Sequence, residues 1–293
     1  MPDPRSAKGP SKAAPSKPAA TEGAVGESIR RKAFRILGLP AVAALFARDP
    51  DRVERLFFDD RMKEKVGAYC AGLAQARKVY RLLPAEEMEK VAGTPLHGGV
   101  VAVAAPRPVR PLDLDEAARW AAAGEPLMIL DGVGNPHNLG AIVRTCAFFG
   151  INRLVLSDHA EQALPSEAAY RVAEGGFEYV TLYQLPRFAQ SLRHLRANYR
   201  IVGTALGDHP DPATVLSAAT GGNAGAKPAA LILGNEEVGL PATTLQACNQ
   251  LVTLRGSGQV QSLNVSATAA ILVHALATPG AAPGAGTAGA RRA

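Results

Sequence analysis

The carboxyl-terminal half of the chain alternates short apolar segments with amphipathic ones, and this alternation limits the folds open to it. The apolar segments are rich in Leu, Ile and Val and lie at LMILD (127–131), RLVLSD (153–158), RIVGTAL (200–206), ALILGNE (230–236) and LVTLR (251–255). Short apolar runs of this kind are typical of strands buried on both faces. Helical patterns lie between them, at residues 139–150 and 187–199, and a last helix is predicted to begin near Leu263. The alternation predicts an α/β fold whose parallel sheet is covered by helices on both faces.

Length and composition exclude several classes of protein. With 293 residues, of which 47% are hydrophobic, the chain has room for about two domains with real cores, so a wholly disordered protein is excluded. The most apolar stretch, residues 267–277, is shorter than the roughly 18 residues that cross a bilayer. The amino-terminal residues lack the apolar region of a secretion signal, and Cys70, Cys146 and Cys248 form no CxxC pair. We expect a reduced, cytoplasmic protein with neither a membrane segment nor a bound metal.

Charge is distributed unevenly along the chain. Residues 28–111 carry 16 lysines and arginines against 9 aspartates and glutamates, whereas residues 112–280 carry 10 against 14. The excess of cations predicts that the first folded part meets a polyanion such as RNA. A basic surface that only keeps the protein dissolved is the alternative.

Composition also predicts how the chain is divided. Residues 1–27 and 279–293 are rich in Ala, Pro and Gly without hydrophobic periodicity, which is typical of a disordered arm and a disordered tail. Residues 28–105 are predicted to form a small α/β domain, and residues 106–123 a semi-rigid linker that contains three prolines. Residues 124–278 are predicted to form the domain with the parallel sheet.

In the small domain, the spacing of Ile29, Ala33 and Ile36 predicts a helix that Gly38 and Pro40 end. The pattern then predicts helices over residues 41–48, 62–77 and 84–93, and strands over residues 53–58, 78–83 and 96–106.

Three loops combine glycine with polar side chains. The first, DGVGNPHNLGAIVRT (131–145), contains Asn138, a predicted helix N-cap, and Arg144, a guanidinium near a strand end that needs an anionic partner. The second, LILGNEEVGLP (231–241), places Gly234 and Glu236 directly after a strand, although such residues are also ordinary in turns. Ligands of parallel sheets lie in loops at the carboxyl ends of strands, so these loops are candidate binding elements.

The third loop, LRGSGQVQSLNVSATAA (254–270), places Ser262, Asn264 and Ser266 before a helix of small residues. These polar groups either cap the helix or hold a phosphate at its N-terminus. The chain contains neither a G-x-G-x-x-G nor a Walker A sequence, which argues against a conventional dinucleotide or ATP site.

The order NLGAIVRT, LILGNEEVGL, SLNVSATAA closely resembles the three motifs of the SpoU/TrmH family of RNA 2′-O-ribose methyltransferases, over roughly residues 125–277. The resemblance implies the SPOUT fold, in which the carboxyl-terminal part of the parallel sheet forms a trefoil knot. It also implies homodimers, and S-adenosylmethionine as the cofactor. The amino-terminal part is similar to the family's small substrate-binding domain, which resembles ribosomal proteins of the L30 type.

The resemblance also implies roles for particular residues. It assigns the cofactor pocket to Thr204, Ala205, Gly234, Leu254 and Leu263, and substrate binding and catalysis to Asn138, Arg144, Glu236, Ser262 and Asn264. Arg30, Arg31, Lys32 and Arg35 are candidate contacts to RNA phosphates, and a solvated helix face is the alternative for each.

The implied reaction is methyl transfer to a ribose 2′-hydroxyl of tRNA or rRNA. A guanidinium stays charged at neutral pH and is a poor base, so we expect Arg144 to hold a phosphate or stabilise alkoxide charge. Leu254-Arg255-Gly256 departs from the Ile-Pro-Met type sequence of many relatives. This departure motivates the alternative function, a non-catalytic RNA-binding or ribosome-assembly factor.

Overall fold

The structure is a computed structural model that describes residues 33–220 and 226–277, without the side chains of residues 217–220. The predicted arm and tail, and the candidate RNA contacts Arg30, Arg31 and Lys32, lie outside the described residues. The described chain contains two sheets, one of four strands and one of seven.

The amino-terminal part, residues 33–105, is built on the four-stranded sheet. Its elements are β1 (Phe34–Leu37), α1 (Leu39–Arg48), β2 (Val53–Phe58), α2 (Gly67–Gln75), β3 (Val79–Leu82), α3 (Ala85–Ala92) and β4 (Val100–Ala104). The strand order is β1-β4-β2-β3; β4 pairs antiparallel with β1 and β2, and β3 pairs parallel with β2. After residue 38, these elements follow the predicted order of helices and strands.

The prediction of a helix that ends at Gly38 is wrong for its described part. Phe34–Leu37 is a strand that pairs with β4, and its apolar spacing fits both periodicities because the run is short. Gly38, at φ +85°, makes the sharp change of direction, which glycine tolerates best. Pro40 lies in the first turn of α1, where its missing N–H costs nothing, so it begins a helix instead of ending one.

The remaining residues form the seven-stranded sheet and the helices that cover it. The strands are β5 (Arg110–Pro111), β6 (Leu127–Asp131), β7 (Arg153–Leu156), β8 (Thr181–Gln184), β9 (Arg200–Thr204), β10 (Ala229–Gly234) and β11 (Gln250–Val252). The helices are α4 (Leu114–Ala122), α5 (Pro136–Phe148), α6 (Glu167–Ala173), α7 (Phe188–Leu195), α8 (Pro212–Thr220), α9 (Ala242–Ala247) and α10 (Val265–Ala277). All pairings in this sheet are parallel, in the order β11-β9-β10-β6-β7-β8-β5.

The predicted parallel sheet is confirmed, and the strand order brings the motif loops together. β6 and β10 are neighbours, with Asp131 opposite Gly234 at their carboxyl ends, and β9 lies on the other side of β10. The first and second motif loops therefore leave the sheet side by side. The knot remains a prediction of the resemblance.

The predicted linker contains regular structure. Its residues Arg110–Pro111 form β5 on the sheet edge beside β8, and Asp113 caps α4 by accepting a hydrogen bond from the Asp115 amide. Trp120 of α4 is buried in a cluster with residues such as Leu127 and Phe188. The segment after the prolines therefore packs on the large sheet.

One hydrophobic cluster is shared by both sheets. It includes Ile36 and Leu45 from the amino-terminal part and Leu130 and Phe177 from the parallel-sheet part. In addition, Tyr170 contacts the Phe34 ring edge-to-face at 5.6 Å between ring centroids. The two parts are therefore joined by continuous apolar packing.

Candidate active site

Asn138 lies at the start of α5, where β6 delivers the chain. Asn135, not Asn138, caps this helix, because its Oδ1 accepts a hydrogen bond from the His137 amide at 2.8 Å. The predicted capping role of Asn138 is therefore wrong. Pro136 occupies the first helical turn and moves the helix start three residues earlier. This leaves the buried Asn138 side chain available for contacts with other loops.

Asn138 joins the second and third motifs. Its Nδ2 donates to Oε1 of Glu236 at 2.5 Å, and its Oδ1 accepts from Nδ2 of Asn264 at 3.2 Å. Residues separated by about a hundred positions in sequence thus form one hydrogen-bonded group, which we call the polar triad (Asn138, Glu236 and Asn264). The triad presents amide and carboxylate groups at the carboxyl edge of the sheet.

Asn264 has two roles in the third motif. It caps α10, since its Oδ1 accepts from the amide and the hydroxyl of Ser266 at 2.8 and 2.6 Å, while its Nδ2 binds Asn138. The capping interpretation therefore holds for this residue, and the role of Asn264 in substrate binding and catalysis stays a prediction. Ser262 lies exposed in the loop before it, outside the polar triad.

Gly234 and Asn235 fix the second motif. A Cβ on Gly234 would lie 2.5 Å from the carbonyl carbon of Gly239 and 2.7 Å from the amide of Leu240, so only glycine permits the turn to fold back here. Asn235 Nδ2 donates to the Gly132 carbonyl at 2.9 Å, and its Oδ1 accepts from the Glu237 amide. Sequence reasoning missed Asn235; its signal is a turn-forming Asn placed directly after a buried strand.

The five predicted cofactor residues all lie at the carboxyl edge of the sheet. Thr204 ends β9 and donates its hydroxyl to the Ile232 carbonyl at 3.2 Å, and the Ala205 amide donates to the Val252 carbonyl at 3.0 Å. Gly234 ends β10. Leu254 lies beyond β11, which ends at Val252 and not at the predicted residue 255. Leu263 is half exposed before α10.

The loops at this edge also expose large apolar side chains. These are Leu206 after β9, Val238 after β10, and Val260 and Leu263 after β11. This edge of the sheet thus offers a ligand backbone groups, side-chain amides and apolar side chains.

Arg144 lies on a different side of α5 from Asn138. Its Nη2 is 2.9 Å from Oε2 of Glu174, and the two side chains remain 55% and 51% exposed. Six helical residues separate Arg144 from Asn138, which turns the two side chains about 120° apart around the axis. Within one chain, Arg144 is therefore not part of the polar triad.

Arg35, a candidate RNA contact, has an internal partner. Its Nε and Nη2 donate to the Glu167 carboxylate at 2.9 and 2.5 Å, and this interaction raises the pKa of Arg35. The residue lies on a strand and not on the predicted helix face. Its charge is therefore compensated within the fold.

Arg255, the departure in the third motif, ties two loops together. Its Nη2 donates to Oδ1 of Asp208 at 2.8 Å and to the His209 carbonyl at 3.3 Å.

Among residues 33–220 and 226–277, no cluster of three His, Cys, Asp or Glu side chains is arranged to hold a metal ion. In the same part of the chain, no helix is both long and apolar enough to cross a membrane.

Comparison with solved structures gives the fold first. The structure is similar to that of an AdoMet-bound rRNA methyltransferase from Sinorhizobium meliloti, with a TM-score of 0.64 and 22% identity over 84% of this chain and 87% of that one. It is also similar to the SpoU methyltransferase AviRb of Streptomyces viridochromogenes in complex with AdoMet, with a TM-score of 0.65 and 19% identity over 85% and 90% of the two chains. At these identities the likeness establishes that the chains share a fold.

The sequence then gives the family. Residues 125–274 match the SpoU rRNA Methylase family, and residues 35–109 match the RNA 2′-O ribose methyltransferase substrate binding family. The 23S rRNA (guanosine-2′-O-)-methyltransferase RlmB of Acinetobacter baylyi is 34% identical over 245 residues, 81% of this chain and 94% of the relative. RlmB of Escherichia coli is 31% identical over 240 residues, 80% and 94% of the two chains. The chain belongs to the SpoU rRNA Methylase family.

Proposed function

We propose that the protein transfers a methyl group from S-adenosylmethionine to a ribose 2′-hydroxyl of rRNA. The observation that carries the proposal is the polar triad, in which the three motif loops meet through hydrogen bonds of 2.5 and 3.2 Å. A factor that only bound RNA would have no need for a buried amide held between the loop after β10 and the start of α10. The triad therefore favours the enzyme over the non-catalytic alternative.

The residues at the carboxyl edge fit S-adenosylmethionine. Backbone groups near Thr204, Gly234 and Leu254 offer donors and acceptors for the adenine and ribose, and Leu206, Val238 and Leu263 offer apolar surface for the purine. When bound, the cofactor supplies an electrophilic methyl carbon on a sulfonium centre. The chain's own residues must then position the RNA and receive its proton.

In this proposal the polar triad orients the target ribose. Asn138 and Asn264 donate or accept hydrogen bonds at the sugar, and Glu236 holds the Asn138 amide in a fixed orientation. The bond formed joins the 2′-oxygen to the methyl carbon, and the bond broken joins that carbon to sulfur. The hydroxyl proton leaves to a phosphate oxygen or to water. Most of the rate then comes from alignment of the reacting atoms.

Arg144 contributes from a surface that suits a second copy of the chain. Phe148, one helical turn further along α5 on the same side, is 82% exposed. Ile271 of the neighbouring α10 is also exposed, and Phe149 and His274 join the two helices edge-to-face. A homodimer that buries this apolar surface places Arg144 at the interface. From there its guanidinium is available to an RNA phosphate in the adjoining active site.

We extend the proposal to 23S rRNA as the substrate and guanosine as the first candidate nucleoside, because relatives more than 30% identical are named 23S rRNA (guanosine-2′-O-)-methyltransferases. An enzyme that modifies rRNA meets its substrate where ribosomes assemble, so we place it in the cytoplasm. Binding of tRNA is the alternative that an assay must distinguish.

The test is methylation of unmodified transcripts by the purified full-length protein. We expect tritium from S-adenosyl-[methyl-³H]methionine to enter 23S rRNA as a 2′-O-methylnucleoside, and not to enter tRNA. Asn264→Ala should lose the activity, whereas Asn152→Ala, at an exposed position before β7, should retain it. No cofactor binding at millimolar concentration would favour the non-catalytic alternative, and methylated tRNA alone would overturn the assignment to rRNA.

A further inference from the structure

Glu174 occupies an unusual backbone conformation beside Arg144. It follows the last residue of α6 with φ +44° and ψ +46°, in the left-handed region. Glycine is the preferred residue at this position after a helix, because a Cβ is unfavourable in this conformation. A glutamate therefore costs conformational energy here, and its side chain gains the ion pair with Arg144 at 2.9 Å. Strained residues of this kind often belong to functional sites.

The turn that carries Glu174 is packed tightly against α5. A Cβ on Gly176 would lie 3.1 Å from the Arg144 Cα and 3.2 Å from the Val143 carbonyl oxygen. The backbone two residues after Glu174 thus rests directly on the backbone of Arg144. This close approach sets the distance between the Glu174 carboxylate and the guanidinium.

The other side of the turn is fixed to the amino-terminal part. A Cβ on Gly175 would lie 2.8 Å from the Ala44 Cβ of α1, so the two parts touch here with no room for a side chain. Glu178, only 1% exposed, accepts hydrogen bonds from Arg52 Nη1 at 2.6 Å and from Arg107 Nε at 3.0 Å. Residues 174–178 are therefore held at both ends, and the Glu174 backbone is fixed although its side chain is half exposed.

We propose that Glu174 is a positioning residue for Arg144, which holds the guanidinium oriented before RNA binds. This inference rests on the proposed function, in which Arg144 contacts an RNA phosphate. More than half of the Arg144 side chain remains exposed in the pair, so a phosphate can approach it while Glu174 holds it. An arginine that is already ordered loses less conformational freedom when it binds the phosphate.

The test compares Glu174→Gly with Glu174→Gln. Glycine removes the carboxylate and relieves the backbone, so we expect an unchanged or higher Tm together with a kcat for rRNA methylation about tenfold lower. Glutamine keeps an oxygen that accepts from the guanidinium, and we expect it to retain most of kcat. Arg187→Gly is the matched control, because Arg187 is also left-handed (φ +51°) and exposed but precedes α7 and has no ion pair with Arg144.

Two further measurements separate positioning from other roles. In an Arg144→Ala background, Glu174→Gly should change kcat by less than twofold, since nothing is left to orient. Modification of Arg144 by phenylglyoxal, followed by mass spectrometry, should be several times faster in Glu174→Gly than in the wild type.

Each outcome decides one question. An unchanged kcat in Glu174→Gly, or an equal loss with and without Arg144, would overturn the positioning role. If the wild type methylates no RNA, the proposed function fails. The rate at which phenylglyoxal modifies Arg144, with and without added rRNA, still reports whether Glu174 orders Arg144. Equal rates in the wild type and Glu174→Gly, together with equal protection by rRNA, would refute the positioning role.

Discussion

Asn138 is the residue on which the candidate active site depends most. It is buried, it binds Glu236 and Asn264 at once, and no capping duty competes for its side chain. Asn138→Ala should lower the single-turnover rate of methylation by about 100-fold, as loss of a positioned hydrogen-bonding group does elsewhere. Unfolding free energy should fall by only about 1 kcal/mol. An equal loss of cofactor affinity in calorimetry would instead place Asn138 in the cofactor pocket.

Cys146 is a fully buried thiol whose ionisation depends on folding. Burial raises the pKa of Cys146 to about 12, and burial is also the main reason that the pKa of Cys248 rises to about 11. In the unfolded chain a thiol has a pKa of about 8.5. The unfolding free energy therefore keeps its full value below that pH. It falls as the pH rises from there toward the pKa of the thiols in the folded protein, because only the unfolded chain then loses the protons.

Urea unfolding at pH 8 and pH 9.5 checks this pH dependence. The unfolding free energy should fall by about 1 kcal/mol on account of Cys146. Cys146→Ala should show a smaller fall over the same interval. An identical slope in the variant would mean that Cys146 ionises as readily in the folded state.

At the scale of single residues, the sequence identified the members of the polar triad but not their contacts. Asn138 and Glu236 lie in glycine-containing loops after apolar strands, Asn264 precedes a helix of small residues, and the resemblance to the family assigned all three to the site. The helix start was misplaced by three residues, since Asn135, Pro136 and Asn138 all fit an N-terminus and only the backbone path chooses among them. The Arg144–Glu174 pair was not predictable, because nothing local relates residues on two different helices.

Among the elements, the loop after β11 departs most from its expected form. The strand is short, and Arg255 instead connects its loop to the loop after β9 through Asp208. A cross-loop ion pair thus joins the two loops where the sequence departs from the Ile-Pro-Met type of many relatives.

Arg255→Ala measures what this ion pair contributes. The Arg255 side chain is 63% exposed, so the pair is worth at most about 1 kcal/mol. We expect the Kd for S-adenosylmethionine to rise by up to about fivefold. Isothermal titration calorimetry gives the value, with Arg193→Ala on α7 as a control that removes a charge elsewhere. Tighter binding in Arg255→Ala would mean that the cation repels the sulfonium.

β1 and β6 illustrate when an element can be predicted. LMILD is apolar up to its final Asp131 and is bounded by turn residues, and the structure has it as β6 with the expected ends. FRIL is equally short, but its neighbours Ile29 and Ala33 complete a helical spacing by coincidence. Its strand conformation is decided by pairing with β4, some seventy residues away, and such a partner leaves no trace in a local pattern.

At the scale of the whole molecule, buried charge joins the two sheets. Glu178 receives Arg52 from the amino-terminal part and Arg107 from the connecting segment. Glu178→Gln would remove the anion that lies nearest to both guanidinium groups and leave Arg52 only the more distant Asp49. Removal of one partner from a buried pair typically costs about 3 kcal/mol, and urea unfolding should show that loss. Asp49→Asn, which neutralises a more exposed carboxylate 3.9 Å from Arg52, should cost much less.

The exposed apolar surface of α5 and α10 bears on the assembly. Phe148→Asp places a charge where the proposed homodimer buries an aromatic ring. Sedimentation velocity should show a dimer for the wild type and a monomer for the variant, and the monomer should bind S-adenosylmethionine but lose methylation. A monomeric wild type with full activity would contradict the shared active site.

Gly175 leaves no gap between α1 and the turn that precedes β8. This tight contact holds the four-stranded sheet at a fixed distance from the sheet edge that carries the polar triad. The four-stranded sheet lies in the part of the chain that matches the substrate-binding family. An RNA that binds both surfaces must place the two regions that they contact at that same distance. The secondary structure of the RNA alone does not ensure this spacing. We therefore expect the protein to select its target nucleotide partly by the three-dimensional shape of the surrounding RNA, so that a short oligonucleotide containing that nucleotide is a poor substrate.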